Sequence, residues 1–228
     1  MQVAKIMLGG RLGQTNTGDE KMKTIALISG GIDSAVAAYI VHSDIGLTFY
    51  YGQRHKKEIE HAKMICDSLG IRQDVVDISS VYAKSPVALV NKDGIITGAG
   101  STVIPLRNLI FLSVAASAAT SIDADSTLVF GANLDDVDDY SDCRLGFVYQ
   151  LSVIIHDLGY NVKISTPLSH KTKVDVIRAG ARLGVPFELT WSCYEGREKH
   201  CGVCPACRLR ITSFLKAGVS DPTEYEVV

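Results

Sequence analysis

Ser29-Gly30-Gly31-Ile32-Asp33-Ser34 lies between two apolar runs: Thr24-Ile25-Ala26-Leu27-Ile28 before it and the Ala/Val-rich stretch 35–41 after it. The order reads as buried strand, glycine turn, then helix. A helix N-terminus leaves backbone N–H groups without partners and carries partial positive charge, so such a turn attracts phosphate. Glycine at 30 and 31 removes the Cβ that would hold a phosphate off the backbone. Ser34, or Ser29 before the turn, can add a hydroxyl donor, and Asp33 can orient the loop or hold Mg²⁺. No Gly-Lys-[Ser/Thr] follows, so this is not a Walker A loop. The plain alternative is an ordinary strand–helix turn.

The flanking chain repeats the pattern. Apolar runs at 24–28, 46–50, 74–78, 126–130 and 162–165 read as strands. Between them, helical periodicity falls at 34–42, 56–69, 107–120 and 172–183, and Asp142 can N-cap a further helix running to Leu158. Gly70, Gly159 and Gly184 suit helix ends. Residues 79–104 have weak periodicity and several glycines, which reads as a long excursion with short helices. This alternation predicts an α/β, Rossmann-like parallel sheet with helices on both faces. Ligands bind beyond the carboxyl ends of such strands. Loops 29–34, 51–55, 131–144 and 166–173 therefore meet on one rim.

The chain has 228 residues, 46% hydrophobic and 21% charged, enough for one large domain or a domain plus an appendage. A net charge of −2 argues against wholesale charge-driven binding, so no direct nucleic-acid partner is expected. No apolar run approaches a spanning helix; the longest, 109–119, contains Ser113 and Ser117, and no membrane contact is expected. Residues 1–21 are polar and glycine-rich and read as a flexible extension, with Met22 as a candidate native start. They lack the apolar core of a secretory signal, which points to the cytoplasm. Disulfides are uncommon there, so the six cysteines read as thiols or metal ligands.

Four cysteines form a C-x7-C-x2-C-x2-C array: Cys193, Cys201, Cys204 and Cys207. Four thiolates in a short stretch can surround one Zn²⁺ tetrahedrally, leaving no open position, which makes the site structural. The expected C-terminal region, 187–228, is then a loop of low apolar content stapled by metal onto the nucleotide-binding domain at 22–186. An iron–sulfur cluster, a redox pair at Cys201/Cys204 or Cys204/Cys207, and His200 in place of one sulfur are the other readings. Cys66 falls on an apolar helix face and reads as core. Cys143, beside Asp142 on the rim, reads as a small half-buried residue rather than a nucleophile.

Ser29–Ser34 resembles the PP-loop, SGGxDS, of ATP pyrophosphatases, which cleave ATP between the α and β phosphates. Taken with Thr190-Trp191-Ser192-Cys193-Tyr194 and Cys201-Gly202-x-Cys204-x-x-Cys207, the chain resembles the 7-cyano-7-deazaguanine synthase family from about Lys23 to the cysteine loop. Tyr51-Gly52-Gln53-Arg54-His55, Pro105-x-Arg107-Asn108, Asp142-Cys143-Arg144 and Thr166-Pro167-Leu168 with Lys173 agree as well. Two departures are Leu106, where the family usually has glycine, and the unusually acidic stretch 134–141. The resemblance implies an adenine nucleotide alpha hydrolase-like fold with one structural Zn²⁺ per chain. It also implies an ATP-dependent carbon–nitrogen ligase, with Mg-ATP, ammonia and 7-carboxy-7-deazaguanine as substrates. The product, a nitrile, is a precursor of queuosine and archaeosine. Two activations by adenylation, carboxylate to amide and amide to nitrile, are implied.

On that resemblance Ser29, Gly30, Gly31, Asp33 and Ser34 hold the pyrophosphate. Ala26, Leu27, Ile28, Ile32, Ala35 and Val36 flank the ATP site, with Gln53 and His55 lining it. Lys173 can reach phosphate as a point charge, or stand as a solvated surface lysine. Arg107 and Arg144 can grip phosphate or the substrate carboxylate bidentately. Asp142 can accept from a guanine-like edge, cap a helix, or both. Asp33, Ser34, Lys173, Arg107, Asp142 and Arg144 are thus the candidate catalytic residues. Asp135, Asp136, Asp138 and Asp139 read as a solvated acidic loop, and Trp191 as an apolar anchor beside the cysteines. Two rival functions stand: a PP-loop tRNA thiolase, with Cys143 as the sulfur acceptor, and a zinc-ribbon nucleic-acid module using Arg197, Lys199, Arg208 and Arg210. A homodimer is left open.

Overall fold

The computed structural model describes residues 22–54, 56–91, 94, 103–123, 125–138 and 140–227. The N-terminal extension, His55, Asp139 and much of the 79–104 excursion lie outside the described residues. Five strands, β1 (Lys23–Leu27), β2 (Ile45–Tyr50), β3 (Arg72–Asp77), β4 (Asp125–Val129) and β5 (Asn161–Ser165), form one sheet in the order β3-β2-β1-β4-β5. Every pairing is parallel. The helices are α1 (Ile32–Val41), α2 (Lys57–Leu69), α3 (Ser79–Tyr82), α4 (Arg107–Ile122), α5 (Leu145–Asp157), α6 (Lys173–Leu183) and α7 (Pro205–Ala217).

The central strand explains why its sequence is a run rather than an alternation. Ala26 packs with α1, α2, α6 and α7 on one side, and Ile25 and Leu27 pack with α4 and α5 on the other. Val36 and Leu112, from opposite faces, are both wholly buried. Each such side chain contributes about 1.5–3 kcal/mol by leaving water. The chain progresses outward from β1 to β3 and then returns to the other side of β1 with β4. That reversal opens a crevice between the carboxyl ends of β1 and β4.

Two expectations about helices are corrected. Asp142 does not cap α5. A short 3-10 turn, Ser141–Cys143, precedes Arg144, and α5 starts at Leu145 without a side-chain cap. Asp142 caps α4 instead: its carboxylate accepts from the Asn108 N–H and from Asn108 Nδ2, each at 3.1 Å. Helix α4 has no capping side chain of its own, because Leu106 stands at its N-cap, so its open N–H groups are met from a distant segment. Leu106 itself is left-handed, φ 57°, where glycine is the relaxed choice.

The second correction is α7, which sequence reading left as loop. Pro205 opens it, Gly218 closes it in the left-handed region, and Phe214 and Ala217 enter the core shared with α1 and α6.

Candidate active site

A cavity of about 470 Å³ occupies the crevice, a size usual for small-molecule sites. Its floor is the Ser29–Ser34 turn. Gly30 has φ +84°, and a Cβ there would collide with the Glu58 carbonyl oxygen at the start of α2. The two serines hold the turn shut from inside. Ser34 Oγ accepts from Ser29 N at 3.1 Å and donates to the Gly31 carbonyl at 3.1 Å. Ser29 Oγ accepts from Gly31 N at 3.3 Å. Across the switch point, a Cβ on Gly131 would sit 3.0 Å from Ser34 N, so β4 and α1 approach as closely as backbone allows. Leu27, Ile28 and Ile32 line the cavity, whereas Ala26, Ala35 and Val36 lie in the core behind the loop.

Lys173 is not a surface lysine. It begins α6, its side chain is 13% exposed, and Nζ pairs with Asp33 Oδ2. Burial alone would push its pKa down, but Asp33 and Asp136 hold it above the usual lysine value, so it stays charged. Asp135 and Asp136, read from sequence as solvated, belong here. Asp135 accepts from the Lys173 N–H at 2.7 Å. Burial and the neighbouring Asp33 raise Asp136 to about 6. The signal for their placement was Asn133, whose side chain and Asp136 form a reciprocal capping box that folds the acidic stretch inward. Asp33 Oδ1 is buried without a hydrogen-bond partner.

The other end of the cavity is aromatic with one deep cation. The Arg107 guanidinium lies 5.8 Å from the Tyr51 ring centre and 5.9 Å from that of Phe111. Phe111 in turn stacks on Phe49 at 4.3 Å. Burial disfavours the Arg107 charge, but the fields of Tyr51, Tyr140, Glu58 and Asp142 more than offset it. Burial, then Tyr140 and Glu58, pushes the Tyr194 hydroxyl up to about 12, so it remains a donor. Gln53 lines this wall but spends its amide on the backbone of Tyr51 and Phe49. Arg144 is exposed, does not line the cavity and donates to the Val137 carbonyl at 3.1 Å. Sequence reading missed Glu58, Tyr194 and Arg210 as lining residues.

The four sulfurs of Cys193, Cys201, Cys204 and Cys207 lie within 4.8 Å of one another, and no other such cluster occurs among the described residues. Cys201 and Cys207 sulfurs are 3.9 Å apart, close to the edge of about 3.8 Å that Zn–S bonds of about 2.3 Å impose on a tetrahedron. An iron–sulfur core would hold its cysteines further apart. Backbone N–H groups of Glu195, Cys201, Cys204 and Cys207 point at sulfur, which favours thiolate. His200 does not replace a sulfur: its ring packs on Trp191, Nε2 accepts from Ser192 N at 3.1 Å, and burial lowers it to about 4. Trp191 anchors the loop, donating from Nε1 to the Cys193 carbonyl at 2.8 Å, and its N–H reaches the Gly30 carbonyl at 2.8 Å. The four-cysteine loop is therefore bonded directly to the Ser29–Ser34 turn.

A 3-2-1-4-5 parallel sheet with this turn at its switch point defines a PP-loop, adenine nucleotide alpha hydrolase-like protein. In that fold the U34-tRNA thiolase NcsA from Methanococcus maripaludis, solved with its [4Fe-4S] cluster, is similar with a TM-score of 0.52 at 18% identity, over 86% of this chain and 65% of that one. Closer likeness is in sequence. The 7-cyano-7-deazaguanine synthase of Caldicellulosiruptor bescii is 39% identical over 218 residues, covering 90% of this chain and 98% of that protein. That of Archaeoglobus fulgidus is 39% identical over 214 residues, covering 88% and 89%. The family model for "Queuosine biosynthesis protein QueC" matches residues 23–218, and the chain belongs to this family.

Proposed function

We propose that this chain is an ATP-dependent ligase that converts 7-carboxy-7-deazaguanine and ammonia to 7-cyano-7-deazaguanine through adenylated intermediates. The observation that carries this reading is the division of one cavity into an end where Lys173 meets Asp33 at the Ser29–Ser34 turn and an aromatic end where the Arg107 guanidinium lies against Tyr51 and Phe111. A carboxylate is a poor electrophile, and transfer to AMP gives it a leaving group. Pyrophosphate departs into the Ser29–Ser34 turn, with Lys173 as point charge and Ser34 beneath it. Asp33 and Asp136 are the groups suited to Mg²⁺ carried in with ATP, since one carboxylate has an unpartnered buried oxygen and the other is raised by its neighbour. Arg107 is placed to hold the substrate carboxylate bidentately. Asp142, held by Asn108, keeps that end of α4 in register and stands near the base site; Arg144, on the rim, acts at most on incoming substrate.

The four cysteines suit one structural Zn²⁺, which supplies local folding free energy. Two rivals are weakened by particular residues. A thiolase mechanism needs a reactive sulfur acceptor, but burial and the charges of Asp136 and Asp142 push the Cys143 thiol up to about 12. A nucleic-acid module needs a patch of open cations, but of the four basic residues Arg197 pairs with Glu226, Lys199 with Glu224, and buried Arg210 with Asp221, which leaves exposed Arg208 alone. Work in the cytoplasm on small molecules fits this reading, and no described helix is long and apolar enough to cross a membrane. The test is mass spectrometry of protein incubated with the carboxy base, ammonium and Mg-ATP. The expected product is the nitrile with AMP and pyrophosphate; ATP cleavage without nitrile, in the presence of both substrates, overturns the assignment.

A further inference from the structure

We propose that Arg210 is a positioning residue for the Ser29–Ser34 turn: it fixes segment 187–192, whose Trp191 N–H holds the Gly30 carbonyl, and so keeps the Gly31 N–H presented to pyrophosphate. The inference rests on the ligase reading above, in which that turn receives pyrophosphate. Arg210 comes from the middle of α7, and its side chain is 1% exposed. Residues 190–192 belong to no helix or strand, so no ladder holds them in place. The guanidinium does so instead. Nη1 donates to the Thr190 hydroxyl at 2.7 Å, the Thr190 carbonyl at 3.3 Å and the Ser192 hydroxyl at 3.4 Å. Nη2 donates to the Phe187 carbonyl at 3.0 Å, and Nε to Asp221 Oδ1 at 3.2 Å. Asp221 is held in turn by the tail beyond α7: the Thr223 N–H donates to Oδ1 at 3.1 Å and the Tyr225 hydroxyl to Oδ2 at 2.6 Å. A planar fork meets all these acceptors at once, which an ammonium on a flexible stem does not.

The link to the turn is one peptide plane. Trp191 N–H donates to the Gly30 carbonyl at 2.8 Å. In a trans peptide the carbonyl and the following N–H point to opposite sides. Fixing the Gly30 oxygen on Trp191 therefore fixes the direction of the Gly31 N–H. That N–H rests on Ser29 Oγ at 3.3 Å, a long bond, and both residues line the cavity. An oxygen of pyrophosphate can take the place of that weak acceptor. Glycines on both sides of the plane offer little resistance to its turning over, so the restraint comes from outside the turn. Two contacts from α2 steady the outer side of the segment: His61 Nδ1 donates to the Leu189 carbonyl at 2.8 Å, and Lys57 Nζ stands 4.9 Å from the centre of the Trp191 ring.

AMP and pyrophosphate separate this role from general support of the fold, because AMP lacks the group that the Gly31 N–H would receive. Each is titrated by calorimetry, with Mg²⁺, into protein whose metal content matches wild type. Arg210→Lys keeps a charge for Asp221 but loses the fork. Its Kd for pyrophosphate should rise about tenfold, the worth of one hydrogen bond to a charged group, with AMP affinity unchanged. Thr190→Val leaves the Arg210–Asp221 pair intact and removes the shortest of the bonds to the segment. It should weaken pyrophosphate alone by a few-fold, and it decides the matter if Arg210→Lys does not fold. A fall in both affinities together, or in neither, overturns the proposal. Wild-type protein that shows no pyrophosphate–ATP exchange dependent on the carboxy base would instead overturn the ligase reading.

Discussion

Asp136→Asn isolates the electrostatic cost of the phosphate end. Asp136 titrates near 6 in the folded chain against an ordinary 3.8, because it is buried and faces Asp33. The folded state therefore binds this proton more tightly than the unfolded chain does. Its contribution to stability is complete below about pH 4 and is lost as pH rises through about 6. At neutral pH the charged form penalises the native state by about 3 kcal/mol before any relaxation. Asparagine removes the charge yet can still accept from the Asn133 N–H, which Asp136 does at 3.1 Å. The variant should melt roughly 5–10 °C above wild type at about pH 8, with little difference near pH 4. On the proposed reading Mg-ATP should stabilise the wild type more than the variant, since the Mg²⁺ would offset the repulsion between Asp33 and Asp136. Thermal unfolding across pH, with and without Mg-ATP, measures both. An equal gain at both pH extremes would show that Asp136 is not charged against Asp33 and would refute the electrostatic account.

Other outcomes follow from the same geometry. Gly131→Ala places a Cβ 3.0 Å from Ser34 N and 3.1 Å from the Asp33 carbonyl carbon. It should cost about 1–3 kcal/mol and weaken ATP binding, read by thermal shift with and without nucleotide. Lys173→Met should retain the fold but lose pyrophosphate–ATP exchange by at least about a hundredfold; retained exchange would remove Lys173 from the phosphate site. At Leu106, φ 57°, Leu106→Gly should be more stable than Leu106→Ala by about 1 kcal/mol, read by denaturant unfolding. Cys207→Ser should lower bound zinc from one per chain toward none, by metal analysis. Because Trp191 is bonded to Gly30, it should also weaken ATP binding, by titration calorimetry.

What could be read from sequence was whatever rests on local pattern. The run 24–28, the turn 29–34 and the glycine ends of α2 and α6 are short-range signals, and each lies within a residue or two of the observed element. The rim loops also follow, since a parallel alternation fixes which ends of the strands face the crevice. The misreadings come from partners distant in the chain. Asp142 looked like a cap for the helix after it, but its partner Asn108 is 34 residues earlier. The acidic stretch reads as solvated because acidic runs usually are, and Asp135 and Asp138 are indeed exposed; Asp136 is drawn in by Asn133, and Asp135 also accepts from the backbone N–H of Lys173, 38 residues further on. Helix α7 was hidden by its cysteines, which drew attention to metal chemistry and away from Pro205 and Gly218 at its two ends.

The departure at Leu106 bears on how the aromatic end is held. A left-handed residue immediately before α4 aims Arg107 into the cavity while Asn108, the next residue, is clamped by Asp142. Leucine pays for that conformation without recovering it by burial, since the residue is 64% exposed. The strain is therefore borne by the clamp. Two bonds from Asn108 to one carboxylate, and a third from Asn108 Nδ2 to Cys143 Sγ at 3.4 Å, fix the turn from the opposite side. Cys143 then needs no reactivity to be useful: buried, protonated and hydrogen-bonded, it is a packing contact for the residue that orients the guanidinium. Arg107, Asn108 and Asp142 thus tie the capping of α4 to the placement of the guanidinium in the cavity, and loosening the clamp should displace the guanidinium before it unfolds the helix.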